Sequence, residues 1–396
     1  PTRNPKPDPM PLPFEYAVRN LGRSPLRLIV SVAGSALVVL LMIAAAAFVR
    51  GMETSLRESG SRDNVILLGA GREESIERSE IKSSVATQAT ASIQGIRTRL
   101  GVPFVSPEIH MALTVGLSRD DATTNQAVVR GVAPEAFLVH PQVRITQGRA
   151  MTQGNDEMIV GKLVATRLGL EDAQLAVGNK LWFDDKEWTI VGRFEAPGTV
   201  MDAEIWAPIN DIKVTAKRDT ISCVVLTLDD AEFADVDAFA AARVDLELVA
   251  MRETDYYRKL VAFYQPVRAM IWITAILIAI GGVFGGLNTM YAAFSARVRE
   301  IGMLQSLGYS RRAIVWSFMQ ESTLAAAAGA LIAASLSLVI FQKLAVKFSM
   351  GAFSLVMDAK TLLIGLGAGL LLGIFGALPP AARCLKMPIT TALKAA

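Results

Sequence analysis

Few side chains in this sequence stand at spacings that support chemistry. His110 and His140 are the 2 histidines of the chain. Neither has a partner at i+3, i+4 or another metal-ligand spacing, so they read as surface or loop histidines rather than metal ligands. Cys223 and Cys384 cannot form a disulfide framework, and with no C-x-x-C or C-x-x-x-H spacing they do not suggest a structural zinc site; the redox compartment stays open. The adjacent acids Asp184-Asp185 and Asp229-Asp230 could do general acid and base work, but their turn positions mark them as solvated loop residues. No G-x-S-x-G nucleophile motif is present. The nearest thing to a phosphate loop runs from Gly154 to Leu163. There Asp156 stands where the first glycine is required and Leu163 where Ser or Thr is, so Gly161-Lys162 is not a Walker A motif, and any ATPase lies elsewhere.

More informative are residues placed in or beside apolar stretches. Gly281, Gly282, Gly285 and Gly286 make overlapping small-xxx-small pairs that let helix backbones approach, a packing interface that would suit two copies of the chain. Glu321 is the carboxylate nearest a span; it is either a functional intramembrane acid or a side chain reaching the headgroups. Between Arg297 and Leu307, the residues Val298, Ile301, Leu304 and Leu307 recur every third position, while Arg297, Arg299, Glu300 and Gln305 occupy other faces. That is a short amphipathic helix. Gly308 serves as its stop and Ser310 as the N-cap of the next helix. It either lies on headgroups or acts as a lever docked into a cytoplasmic partner.

The elements that hold these residues follow from composition. Of 396 residues, 52% are hydrophobic and 19% charged, too apolar for an ordinary soluble enzyme. A net charge of +3 supports no nucleic-acid partner. A bilayer core of about 30 Å needs roughly 20 helical residues without charge, and four windows qualify: 28–49, 269–296, the stretch between Glu321 and Lys343, whose span starts earlier near Ala313 (313–342), and 361–382. The polar, proline-rich start makes the first a retained anchor rather than a cleaved signal. Basic residues then set orientation. Arg3, Lys6, Arg19, Arg23 and Arg27 precede span one, Arg297, Arg299, Arg311 and Arg312 lie between spans two and three, and Arg383, Lys386 and Lys394 follow span four. These segments (1–27 with an amphipathic helix, 297–312, 383–396) are expected in the cytoplasm. The short loop 343–360, with Lys343, Lys347 and Lys360 offset by Asp358, and the long segment 50–268 are expected outside, which puts Cys223 and Cys384 in opposite compartments.

Segment 50–268 is expected to be mixed α/β. Val65–Leu68, Val128–Val132, Met158–Val160, Lys180–Phe183, Trp188–Phe194 and Cys223–Leu228 read as strands, with a hairpin at Asp184-Asp185. Leu163–Leu168, closed by Gly169, and Ala231–Val244 read as helices, and Arg72–Arg99 leans to helix. Thr254–Val267, with Tyr257, Leu260, Val261 and Tyr264 on one face, reads as a stalk running straight into span two. The expected fold is an α-helical membrane protein with four transmembrane helices, one plus three, and a mixed α/β extracytoplasmic domain between the first and second.

Arg299-Glu300-Ile301-Gly302-Met303-Leu304-Gln305-Ser306-Leu307-Gly308, then Ser310-Arg311-Arg312 and Ile314, resembles the R-E-I-G-x-L-x-A-L-G signature of MacB/FtsX-type permeases. Leu378-Pro379-Pro380-Ala381-Ala382-Arg383 and Pro388–Leu393 resemble that family's closing motif, with Ser306 and Cys384 standing where alanine is usual. Ala17–Leu21, Ser24–Arg27 and the run Ile159–Gly192 are similar to its opening and outer domain. The resemblance implies a stand-alone permease, without a fused ATPase, that works with a second permease copy as a homodimer and with ABC ATPase subunits of the MacB or LolD kind. ATP and Mg would be bound by that ATPase, with no cofactor on this chain. Carried over by motif, Arg297, Arg299, Glu300, Ile301, Gly302, Leu304, Leu307 and Gly308 would bear or shape the ATPase contact as a coupling helix. The implied function is mechanotransmission across a bacterial inner membrane, both termini cytoplasmic, for export or extraction of an amphiphilic or peptide-like cargo, with a periplasmic adaptor or cargo carrier as a further partner. The alternative is a signalling subunit that switches on an extracytoplasmic cell-wall hydrolase.

Overall fold

Lipid offers no hydrogen-bond partner to a peptide group, so an apolar run that crosses it must satisfy its own backbone as a helix. The computed structural model describes residues 12–121, 125–342, 344–349 and 351–384. Arg3, Lys6, Lys343, Lys386, Lys394 and the Pro388–Leu393 motif lie outside the described residues. The chain forms two units: a helical one from residues 1–50, 267–343 and 356–396, and an α/β one from residues 51–266 and 344–355.

Among the described residues of the helical unit, 4 helices are long and apolar enough to cross a membrane. They are Pro25–Ser59, Gln265–Ser295, Arg311–Phe341 and Ala359–Cys384. Pro25 opens the first, in the turn whose N–H groups have no intrahelical acceptor, so its missing N–H removes no helical bond. Ahead of it the amphipathic helix Phe14–Gly22 turns Ala17 and Asn20 inward. The third and fourth helices approach closely through glycine: a Cβ on Gly373 would lie 2.7 Å from the Cα of Thr323. Val39, Ile43, Ala330, Ala333 and Leu372 form one apolar cluster in this unit. Met290, Phe294, Ile301, Ile314, Phe318, Ala377 and Ala381 form a second, around the connector between helices two and three.

The α/β unit is built on a 10-stranded mixed sheet. Its order is Leu248–Arg252, Asn64–Gly69, Cys223–Thr227, Val105–Thr114, Gln126–Val132, Glu204–Pro208, Glu157–Gly161, Lys186–Glu195 and Arg144–Gly148, with Lys180–Phe183 paired to Lys186–Glu195. Central strands such as Asn64–Gly69 are buried along their whole length, which is why they read as unbroken apolar runs rather than alternating ones. Asp184 and Asp185 form the two-residue turn of a hairpin with φ of 52° and 55°, a backbone that short acidic side chains tolerate.

Besides the strands Arg144–Gly148, Glu204–Pro208 and Leu248–Arg252, which the sequence pattern did not assign, four segments differ from the sequence expectation. Val105–Thr114 is a central strand although it carries Pro107, Glu108 and His110. Within Arg72–Arg99 only Val85–Ser92 is α-helical; Ile81–Lys82 instead pairs with Thr220–Ile221. The stalk is two helices, because Glu253–Phe263 ends before Tyr264 and a new helix starts at Gln265, where Pro266 has no N–H to continue the ladder. The segment 343–360 contains an antiparallel hairpin, Ala345–Phe348 with Gly351–Ser354, that belongs to the α/β unit. Ala352 packs there with Leu163 and Ala203, and the Phe348 ring lies 5.1 Å from that of Tyr264.

Both histidines are buried, a correction to their reading as surface residues. Period-two alternation puts Ser106, Glu108 and His110 on one face of their strand. Glu108 Oε1 accepts from Ser106 Oγ at 2.9 Å and lies 2.8 Å from His140 Nε2. Its Oε2 lies 3.0 Å from His110 Nε2 and accepts from Arg130 Nη1 at 3.0 Å. Arg130 also donates to Glu204 at 2.7 Å, and Glu204 accepts from the Trp206 indole at 2.9 Å. Burial alone would raise the Glu108 carboxyl, but His140, Arg130 and the imidazole hydrogen bonds outweigh it and hold the group well below the usual range. Glu204 is likewise lowered, burial being outweighed by Arg130. Donor atoms of Glu108, His110 and Cys223 gather within 4.8 Å of one another. Even so, four donors already occupy the Glu108 oxygens, a guanidinium among them, and burial pushes the Cys223 thiol well up, away from thiolate. This set is an ion network rather than a metal cage.

Arg130→Met leaves two buried carboxylates without their cation, and the unfolding free energy of the α/β unit in urea should fall by about 3–5 kcal/mol. Asp184→Asn at the exposed turn should change it by less than about 0.5 kcal/mol. Glu108 and Glu204 titrate lower folded than unfolded, where Glu sits near about 4.3. Their contribution is therefore complete above that pH and lost as pH falls through the folded values. Acid unfolding of Arg130→Met should begin at a higher pH than in the wild type; coincident urea and acid transitions would refute the role given to the network.

Candidate functional site

The connector between the second and third membrane helices is where sequence and geometry converge. The second helix ends at Ser295, and Arg297, with φ −124° and ψ 13°, leaves helical geometry to cap Val298–Ser306. Its carbonyl accepts from Ile301 N at 3.0 Å. At the far end Gly308, with φ 94°, takes the left-handed turn that a glycine adopts without strain. Ser310 Oγ then accepts from Ala313 N at 3.2 Å and caps the third helix.

The faces of this helix sort differently from the every-third pattern. At 3.6 residues per turn, three residues fall about 60° short of a full turn, so such a line winds around and Leu307 ends about 180° from Val298. Ile301 and Gly302 point inward, Ile301 joining the Phe294–Phe318 cluster, with Leu304 half-buried against it. Leu307 is 69% exposed and Met303 47%. With the exposed Arg299 they form an i, i+4, i+8 stripe on the outer face. Met303 stands at the variable position of the motif and so is not among the coupling residues carried over from it, although its spacing from Arg299 and Leu307 places it on their face.

The inner side of the connector is held by charge. Glu321, ten residues beyond the start of the third helix at Arg311, is turned inward and pairs with both Arg27 and Arg297, the latter at 3.1 Å. Its side chain is 4% exposed, so it does not reach outward to the headgroups. Arg297 uses its other amino group to donate to the Asn20 carbonyl at 3.3 Å. Glu300 pairs with Arg23 at 3.3 Å on the exposed rim. The helix Phe14–Gly22, the start of the first membrane helix, the connector and the third membrane helix thus meet around one carboxylate.

The remaining candidates fall elsewhere. Gly282 faces Val38 and Leu372, and Gly286 faces Gly376, while among the described residues nothing lies within 4 Å of a Cβ built on Gly281 or Gly285. Asp229 and Asp230 are exposed, as are Asp184 and Asp185. Gly161 is buried in its strand, and Lys162 pairs with Glu195 at 3.1 Å, so no phosphate cradle exists there.

Residues 28–243 match the MacB-like periplasmic core domain family, and residues 272–389 match the FtsX-like permease C-terminal family. The chain is similar to the macrolide export ATP-binding/permease protein MacB 1/2 of Paracoccus denitrificans, 26% identical over 78% of this chain and 48% of that protein. It is also similar to the uncharacterized ABC transporter permease YknZ of Bacillus subtilis, 23% identical over 72% of this chain and 74% of that one. The chain spans about half the length, or less, of the MacB relatives it matches. The crystal structure of the periplasmic region of MacB from Actinobacillus actinomycetemcomitans aligns at TM-score 0.39 and 12% identity, over 52% of this chain and 95% of that one. With one family matched across more than half of its residues and the other following it, the chain belongs to the MacB/FtsX-type ABC transporter permeases.

Proposed function

We propose that this permease transmits the movement of an ATPase, located outside these residues, through the connector Val298–Ser306 to the α/β unit, which lies on the outer side of a bacterial cytoplasmic membrane. The observation that carries the reading is the division of the connector helix. Its inner side is anchored by Ile301, Arg297 and Glu300, while Arg299, Met303 and Leu307 are turned outward and left exposed by the described residues. A docking stripe of that kind joins apolar contact to positive charge, the make-up of an interface centre rather than of a solvated helix face.

Chain connectivity supports transmission. The first membrane helix runs into the α/β unit at Gly51, the second leaves it after Pro266, and the third and fourth are joined through the hairpin Ala345–Phe348 and Gly351–Ser354 that is part of it. Every membrane helix is therefore covalently continuous with the α/β unit. The partners that fit are an ABC ATPase holding ATP and Mg and a second copy of this chain, for which the open Gly281 and Gly285 face is a candidate contact. A periplasmic adaptor or cargo carrier is a further partner. The cargo class we assign is amphiphilic or peptide-like, in keeping with the macrolide export named for several relatives.

Leu307→Asp should reduce recovery of the ATPase with the tagged permease by at least about tenfold, since a central interface anchor is worth 2 kcal/mol or more, while leaving the melting midpoint unchanged. Undiminished recovery sinks the docking assignment. Orientation is checked separately: a Met303→Cys permease in intact spheroplasts should resist a membrane-impermeant maleimide and label fully once the membrane is opened. Labelling from outside would invert the topology.

A further inference from the structure

Among the described residues the connector's outward stripe is uncovered, yet its inner end is tied at several points. A carboxylate ten residues into a membrane helix is retained only when its charge is matched, and Glu321 is matched twice, by Arg27 and by Arg297. The two arginines come from different elements. Arg27 stands in the first turn of the first membrane helix; Arg297 stands at the non-helical bend between the second helix and the connector. Arg297 is forked, one amino group on Glu321 and the other on the carbonyl of Asn20, in the last turn of Phe14–Gly22, where helix carbonyls run short of internal partners and the helix end favours a cation. Arg23 reaches from the same helix end to Glu300 in the first turn of the connector. The angle between connector and third helix is thereby set at a side chain rather than left to the backbone of Ala296 and Arg297.

We infer that Glu321 is the positioning residue of the connector: through Arg297 and Arg27 it makes the Phe14–Gly22 helix, the start of the first membrane helix, the connector and the third membrane helix one rigid block, so that a load on the outward stripe moves membrane helices instead of tilting the connector. This rests on the connector being the docking element, and its test is built to stand apart from that reading. Removing the charge frees the bend but leaves Arg299, Met303 and Leu307 in place, so docking survives while transmission does not.

The test uses the full chain in nanodiscs with spin labels at Arg19→Cys and Met303→Cys, both exposed positions, in a Cys223→Ser, Cys384→Ser background. The inter-label distance distribution should be narrow in the parent, broaden at least twofold in Glu321→Gln, and return towards the parent in Glu321→Asp. Arg297→Lys keeps the charge and spares folding, but a point charge cannot bridge Glu321 and the Asn20 carbonyl together. It should broaden the distribution with little change in melting temperature, a result that a merely stabilising ion pair would not produce. In parallel, Glu321→Gln should recover the ATPase within about twofold of wild type but lose most of the permease-dependent stimulation of ATP hydrolysis. A distribution that stays narrow in both Glu321→Gln and Arg297→Lys overturns the inference. Broadening in a permease that recovers no ATPase even as wild type overturns the docking reading and leaves the clamp standing.

Discussion

Each unit of this chain is organised around a carboxylate that has lost contact with water and is held by arginine. In the α/β unit it is Glu108, fully buried and ringed by Arg130, His110, His140 and Ser106. In the helical unit it is Glu321, between Arg27 and Arg297. An isolated charge in either setting costs several kcal/mol, and the cost is recovered only when geometry and hydrogen bonding are good. Such a group therefore tolerates very few arrangements of its neighbours. It contributes less to net stability than to choosing one packing among several, because the apolar contacts around it would accept small rotations and slips that the ion contacts do not.

How much of this was legible in the sequence follows from where partners lie along the chain. The four spans were legible because a bilayer imposes a length and a composition on one continuous segment. The connector was legible because its stop at Gly308 and its cap at Ser310 are local signals. Glu321 stood out as an unusual residue, but its partner Arg27 is 294 positions away, and no local pattern joins them. The same holds for Glu108 and His140, 32 positions apart. One signal of the Glu108 site is local: Ser106, Glu108 and His110 at period two place three polar groups on one face of a strand. Proline and charge in that stretch argue against a central strand by propensity, and tertiary pairing with Gln126–Val132 and Cys223–Thr227 overrode them.

The winding of the every-third pattern shows why faces must be taken from the helical period and not from the repeat. Val298 and Leu307 look equivalent in sequence yet end on opposite sides of Val298–Ser306. Half of the apolar content of the connector is therefore structural and half is left for something else. The carried-over motif mixes the two. Ile301 and Gly302 fix the helix on its support, Arg297 and Glu300 tie its first turn, and only Arg299, Leu307 and Gly308 are outward, with Met303 between them.

A load applied to that outward face has to travel through whatever is stiffest. Rigid helices joined by charged clamps at one end, and a chain that passes directly into the α/β unit at the other, leave few soft joints among the described residues. One is Tyr264, where the helix Glu253–Phe263 stops before Pro266 forces a restart. Another is the hairpin joining the third and fourth helices, which is sewn into the α/β unit through Ala352 and Phe348 rather than hanging free. At the first joint the backbone ladder is interrupted; at the second the side chains are packed, and one of those contacts, Phe348 on Tyr264, ties the two joints together. On the function proposed above, motion carried by the third and fourth helices would reach the α/β unit through that packed hairpin. Such a route would depend on chain continuity and a four-residue strand pair rather than on a pore, and it would require no passage for cargo between the helices.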